Sequence, residues 1–380
     1  MKKVSLGKGV VILLVGLMGA SCTKDVQEEP FETTPVTAPA DSVPANAAPS
    51  EAAPAAPAPA PASAPAVPAP AAPAPAPQST APAPAASTAS SIGTPIGFAA
   101  ENGMTTGGQG GSEVTVSTLA ELKTAAASAS PMIINVSGNI TGSTGVKVSS
   151  NKTIIGLSGS KLDGVGLLMN GVSNIIVKNM TIVNPSATDA ISIRSKSHHI
   201  WVDHCTLDNP KFDGLLDITD QSDYVTVSWS KLSNASKNSL VGSSETSVAD
   251  KGKLNVTYHH NHFLNNLERS PSLSFGTGHV FNNYYQHTKT MTNGYGIASR
   301  MGATVYAENN YFDGIKGSPI ATIGTQYGFV GGESTNVFKN SGANKIRTAA
   351  STWVPAYAYK SALIAAENVP ATVMAGAGAR

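Results

Sequence analysis

IIVKNMTI (Ile175–Ile182), IWVDHCTL (Ile200–Leu207), VTVSWSKL (Val225–Leu232), VTYHHNHF (Val256–Phe263), GHVFNNYY (Gly278–Tyr285) and VYAENNYF (Val305–Phe312) decide the fold. Their starts lie 25, 25, 31, 22 and 27 residues apart. Most are rich in β-branched or aromatic residues and alternate in character, as a strand does. TIIGL (Thr153–Leu157) reads as an earlier rung. A repeat of this period marks a solenoid, in which each unit buries its apolar face against its neighbours. Several short strands per repeat and almost no helical periodicity predict an all-β chain. The expected architecture is a right-handed, single-stranded parallel β-helix. Asn261, Asn283 and Asn310 share the sixth column of the repeat, and Asn179 falls one column earlier. They are read as a ladder of stacked amides at an internal bend, with plain turn asparagines as the alternative.

The N-terminal stretch is different material. Residues 1–21 have the pattern of an export signal: Lys2, Lys3 and Lys8, then an apolar core Val10–Leu17 too short to span a bilayer. Gly19-Ala20-Ser21 before Cys22 resembles a lipoprotein processing site. It implies acylation of Cys22 and a cell-surface, possible outer-membrane, lipoprotein; ordinary cleavage would instead leave a secreted protein. Seventeen of the 25 prolines lie between Pro30 and Pro84. The segment 22–91 is therefore expected to be a Pro/Ala-rich linker in polyproline II conformation, without a core.

Residues 92–380 are long enough for one large domain. They carry 21 Lys/Arg and 18 Asp/Glu, a net charge near +3. That is no nucleic-acid footprint, so anion binding has to be local. Cys205 is the only cysteine besides Cys22, which excludes a disulfide framework within the domain. Thr118-Leu119-Ala120-Glu121 is a capping-box pattern and predicts one short helix that plugs the N-terminal end of the coil.

Asp189, Asp213, Asp217, Lys237 and Arg269 each stand beside a repeated strand. Stacked rungs would bring them to one surface. Three carboxylates suit a hard cation with oxygen ligands, and the two cationic side chains suit an acidic polymer. Asp213 and Asp217 are four apart, which on an ideal strand is one face. His259, His260 and His262 also tempt a metal reading. Adjacent strand residues point to opposite faces, so His259 and His260 cannot readily share an ion, whereas His260 and His262 can. His204 and His260 are read as structural hydrogen-bonding groups.

The chain resembles the pectate lyases that form a right-handed parallel β-helix. The resemblance rests on Gly97-Phe98-Ala99, Thr106-Gly107-Gly108-Gln109-Gly110-Gly111, Ile200-Trp201-Val202-Asp203-His204, Asp213-Gly214-Leu215-Leu216-Asp217, Ser222 to Trp229, Lys237, Val256 to Asn261, Arg269 and Asn282-Asn283-Tyr284-Tyr285. It implies calcium binding at Asp189, Asp213 and Asp217. It also implies proton abstraction by Arg269 and capture of a substrate carboxylate by Lys237. The reaction would be β-elimination on de-esterified polygalacturonate, by a monomer that binds no nucleic acid. A free guanidinium holds its proton up to about pH 12, so such a reaction calls for neighbouring cations and alkaline conditions. The chain departs from the family at two places. Ala187 stands where many members carry a further acid. Ser274 stands where the family's second substrate-binding arginine is expected, and Arg300 in the next rung is the candidate to serve a neighbouring subsite. The loss at Ser274 leaves open a pectin lyase acting on methylated substrate, or a weakly active pectin-binding surface protein. The three carboxylates argue against the pectin lyase, Ser274 is the only positive evidence for the binding protein, and the set Asp189, Asp213, Asp217, Lys237 and Arg269 argues against a β-helical adhesin.

Overall fold

A computed structural model of the protein describes residues 92–186, 189–209, 214–290 and 293–380. The export signal, the Cys22 site and the linker lie outside the described residues, as do Ala187 and Asp213.

All the strands pair in parallel. The first face of the coil is a ten-stranded sheet running from Ser112–Val116 to Phe329–Gly331. The six aligned segments pair on this face at the aligned position: Ile175, Ile200, Val225, Val256, Gly278 and Val305 are successive partners. The earlier rung is displaced by one residue, because Lys152 and not Thr153 opposes Ile175. A second face runs from Thr181–Val183 to Val337–Lys339, and a third from Ile191–Arg194 to Ser318–Thr322. The long strand Lys161–Asn170 pairs with both faces and joins them into one 15-stranded sheet. With strand-to-strand crossovers of the usual hand, this is a right-handed parallel β-helix.

The bend between the first and second faces is built from two columns. Asn179, His204, Trp229, His260, Asn282 and Asn309 all adopt positive φ, between 47° and 55°. The next column holds the amide ladder. Asn261 Nδ2 donates to Asn283 Oδ1 at 3.0 Å, Asn283 Nδ2 to Asn310 Oδ1 at 3.0 Å, and Asn310 Nδ2 to Asn336 Oδ1 at 2.9 Å. Each Oδ1 also accepts the backbone N–H of the rung before it, from Ser230 to Asn310. The ladder thus satisfies backbone groups that the bend removes from the sheets. Asn179 belongs to the positive-φ column, outside the ladder, and Asn336 completes it.

Inside the coil, aliphatic side chains of the three faces form one buried cluster. Phe263, Tyr285, Phe312 and Phe338 of the second face stack at 4.8, 4.3 and 5.2 Å between ring centroids. Cys205 is fully buried, and burial pushes its thiol up to about 12, so it packs as a small hydrophobe. The expected helix, α1, spans Leu119–Ala127, and Thr118 and Glu121 form the reciprocal capping box. Its Leu122 and Ala126 are buried against the first rungs, closing that end of the core. A second helix, α2 (Val369–Gly376), was not evident from the sequence; it lays Val369 and Val373 against Tyr284 on the outside.

The Gly97 and Gly108 motifs strap the outside of the first face. Phe98 N–H donates to Thr257 Oγ1 and Ala99 N–H to Thr226 Oγ1, both at 3.1 Å. A Cβ on Gly108 would overlap the Met132 carbonyl, so the strap can lie this close only as glycine.

Candidate active site

The third face carries the predicted residues on consecutive rungs. Asp189 precedes Ile191–Arg194, and Asp217 lies within the next strand, Leu216–Ile218. Lys237 precedes Leu240–Val241, and Arg269 precedes Ser272–Ser274. Rungs are about 4.8 Å apart, so Asp189 and Arg269 stand roughly 14 Å apart along the axis. All four side chains are half-buried.

The two described carboxylates converge. A Cβ on Gly214 would overlap Asp189 Oδ1 and would lie 3.6 Å from Asp217 Oδ1. The absent side chain at Gly214 therefore leaves room beside an oxygen of each carboxylate. Asp217 Oδ1 is also fixed by the Leu240 N–H at 2.9 Å, a bond to the following rung. The strand that carries Asp217 is Leu216–Ile218. Asp213 itself lies outside the described residues. Among the described residues no group of three acidic, histidine or cysteine ligands forms.

Arg269 sits on a bulge. Lys237 opposes Glu268, and Leu240 opposes Ser272. Between these pairs the Arg269 rung holds one residue more than its neighbour. Arg269 has φ of 61°, unusual for a non-glycine residue, and its carbonyl accepts the Ser239 N–H at 2.6 Å. A bulge bends the strand and re-aims a side chain. Sequence reasoning missed Tyr295, whose hydroxyl lies against the Arg269 guanidinium one rung on. Burial pushes that phenol up, so it stays a neutral hydrogen-bonding neighbour. It also missed Asn238, fully buried beside Lys237, which donates to Ser270 Oγ at 3.0 Å. Both act across rungs, where chain spacing carries no signal.

Ser274 is 1% exposed and in register with Gly242 on one side and Arg300 on the other. Arg300 pairs with Glu245 at 2.7 Å, and Glu245 also accepts from Thr325 Oγ1 at 2.6 Å. The cation nearest to the Ser274 column is therefore already neutralised.

The histidines have separate partners. His260 stacks on Trp229 at 4.3 Å, while His262 stacks on Tyr284 at 5.1 Å and reaches Gln286 Oε1 at 3.1 Å. His204 stacks on the other side of Trp229 and contacts Asp203 Oδ2 at 2.7 Å. Burial pushes both His260 and His262 down to about 4. An unfolded histidine titrates near 6.5, so between pH 6.5 and 4 the unfolded chain binds more protons than the folded one. Stability is then full above about pH 6.5 and falls as pH drops toward 4, by about 3 kcal/mol per histidine. Denaturant unfolding at about pH 7 and pH 5 should show about 2 kcal/mol of this loss per histidine; equal unfolding free energies would mean that the two rings are not held neutral.

Comparison with known proteins fits this geometry. The family model described as pectate lyase matches residues 79–380. A pectate trisaccharide-lyase of Bacillus licheniformis is 39% identical over 302 residues, covering 74% of this chain and 85% of that protein. Pectate lyase B of Colletotrichum gloeosporioides is 40% identical over 269 residues, 68% of this chain and 78% of that protein. Among solved structures, a Bacillus sp. N165 pectate lyase in complex with trigalacturonate superposes with a TM-score of 0.65 at 30% identity, over 75% of this chain and 98% of that one. Fold and relatives together define a polysaccharide lyase with a parallel β-helix. The chain belongs to the pectate lyase family.

Proposed function

We propose that this pectate lyase cleaves de-esterified polygalacturonate by β-elimination, assisted by calcium, and leaves 4,5-unsaturated ends. The observation that carries the reading is the convergence of Asp189 and Asp217 over Gly214, on the face that presents Lys237 and Arg269. Asp189 and Asp217, with Asp213, would hold the ion; an all-oxygen set is what calcium takes. Bound there, calcium supplies a positive charge that acidifies the C5 proton beside a substrate carboxylate. Lys237 holds that carboxylate and orients the sugar ring. Arg269 accepts the C5 proton at a guanidine nitrogen. The C5–H electron pair becomes the C4–C5 double bond, and the C4–O bond breaks. The departing oxygen takes a proton from solvent.

A methylated substrate is the second reading, favoured by the missing cation at Ser274 and the neutralised Arg300. Ultraviolet absorbance of unsaturated product distinguishes the two. Absorbance should rise on polygalacturonate with calcium, stay flat with excess chelator, and rise more slowly on methylated pectin. Full activity in chelator would refute the calcium assignment. Saturated products would mean hydrolysis. Faster cleavage of methylated pectin would transfer the protein to the second reading. Export, and tethering through Cys22, remain part of the proposal.

A further inference from the structure

The cleft does not end at Arg269. Beyond it the third face continues through Tyr295–Arg300 and Ser318–Thr322, and the next rung adds Lys345, which opposes Ala321. A hollow of about 290 Å³ spans these rungs, lined by Tyr295, Thr322, Tyr327, Lys345 and Arg347 among others. Tyr295, which touches Arg269, is part of its lining.

Its far end is cationic and already organised. The Arg347 guanidinium lies over the Tyr327 ring, 5.2 Å from the centroid, and donates to the Tyr327 hydroxyl. Its backbone N–H is fixed on Thr322 Oγ1 at 2.9 Å. Lys345 is locked at the backbone in both directions, donating to the Ile320 carbonyl at 2.9 Å and accepting from Thr322 N–H at 3.0 Å. Both side chains are exposed, and neither forms an ion pair with a described residue. The nearby carboxylates are engaged elsewhere: Glu333 binds Asn344 Nδ2 at 2.6 Å, and Glu245 binds Arg300. Two cations without acidic partners, one of them stacked and hydrogen-bonded into a single pose, are built to receive an anion.

We propose that this hollow is a distal subsite that seats a further uronate of the polymer, with its carboxylate on Lys345 and Arg347. The proposal rests on the reading of the cleft as a polygalacturonate site. Lys345 lies three rungs beyond Arg269, roughly 14 Å at the usual strand spacing. A trimer that straddles Arg269 stops short of it, whereas a long chain reaches both. The subsite therefore makes the enzyme prefer long chains, holding the polymer in place while cleavage occurs three rungs away. It also supplies a cation on the far side of the Ser274 column, where the local one is missing.

The test is K345A/R347A in the full chain; both residues are exposed, and an unchanged thermal melt confirms the fold. The KM for polygalacturonate should rise about five- to tenfold, as expected for two solvent-exposed ionic contacts. The kcat should be unchanged, and kcat/KM for trigalacturonate should match the wild type. An unchanged KM on polymer overturns the proposal. So does an equal rise on polymer and trimer, which would indicate a general loss of field. Retardation in a polygalacturonate affinity gel needs no turnover and should weaken in the variant. If retardation depends on Lys345 and Arg347 but the wild type yields no unsaturated product, the elimination reading fails and the subsite stands.

Discussion

Arg269→Lys should lower kcat on polygalacturonate by about 10²–10⁴-fold, the usual cost of losing a general base. The variant should keep the fold and still bind calcium. Lysine retains a positive charge but lacks the planar fork, and its ammonium is a more strongly hydrated point charge. The structure adds a reason for sensitivity. Arg269 leaves a bulge at φ of 61° and lies against Tyr295, so its guanidinium position depends on a backbone detour and a neighbouring phenol. A lysine on the same detour cannot place a nitrogen at both the Tyr295 hydroxyl and the substrate C5 proton. Initial rates of unsaturated product, calcium calorimetry and circular dichroism together check this. A variant that kept more than about half of its rate would remove Arg269 from the role of base, given how large such losses usually are.

Gly214→Ala is expected to weaken calcium binding by about 10–100-fold, the range found when groups that orient metal ligands are disturbed. The new methyl would overlap Asp189 Oδ1 and crowd Asp217 Oδ1. Asp189 must then swing away, and the two carboxylates no longer converge. Turnover at low calcium should collapse and recover in part at high calcium, since the groups that handle the proton and the carboxylate are untouched. Calcium titration of the rate, beside direct calorimetry, separates this from misfolding. The same calcium dependence in variant and wild type would show that the two carboxylates do not share an ion.

Much of the scaffold was legible because a solenoid writes its period into the chain. The aligned positions Ile175, Ile200, Val225, Val256, Gly278 and Val305 are true partners. The α1 helix could be read from its capping box, and the amide ladder from a recurring column. Asp189, Asp217, Lys237 and Arg269 were placed on successive rungs by the same logic. What stayed hidden depends on contacts between rungs. The extra residue at Arg269 alters the register without altering composition. Tyr295 reaches Arg269 across a gap of 26 positions, and Glu245 reaches Arg300 across 55. The continuous strand Lys161–Asn170 was not evident, because Gly164 and Gly166 interrupt its apolar run. The α2 helix has no capping side chain to announce it, and its first residue, Val369, precedes Pro370, a position that disfavours helical backbone.

The uniform stacking of the third face makes the reach of the cleft a counted quantity. The distance from the carboxylates to Arg269, and from Arg269 to Lys345 and Arg347, is set by whole coils and cannot be adjusted continuously. Gaining or losing one coil between Arg269 and Lys345 would shift the distal cations by about 4.8 Å, the strand spacing, while leaving the reaction centre intact. Each coil contacts only its neighbours, so such a change disturbs little else. The fold thereby separates chain-length preference from bond-breaking: one can be lengthened in discrete steps while the other stays as it is.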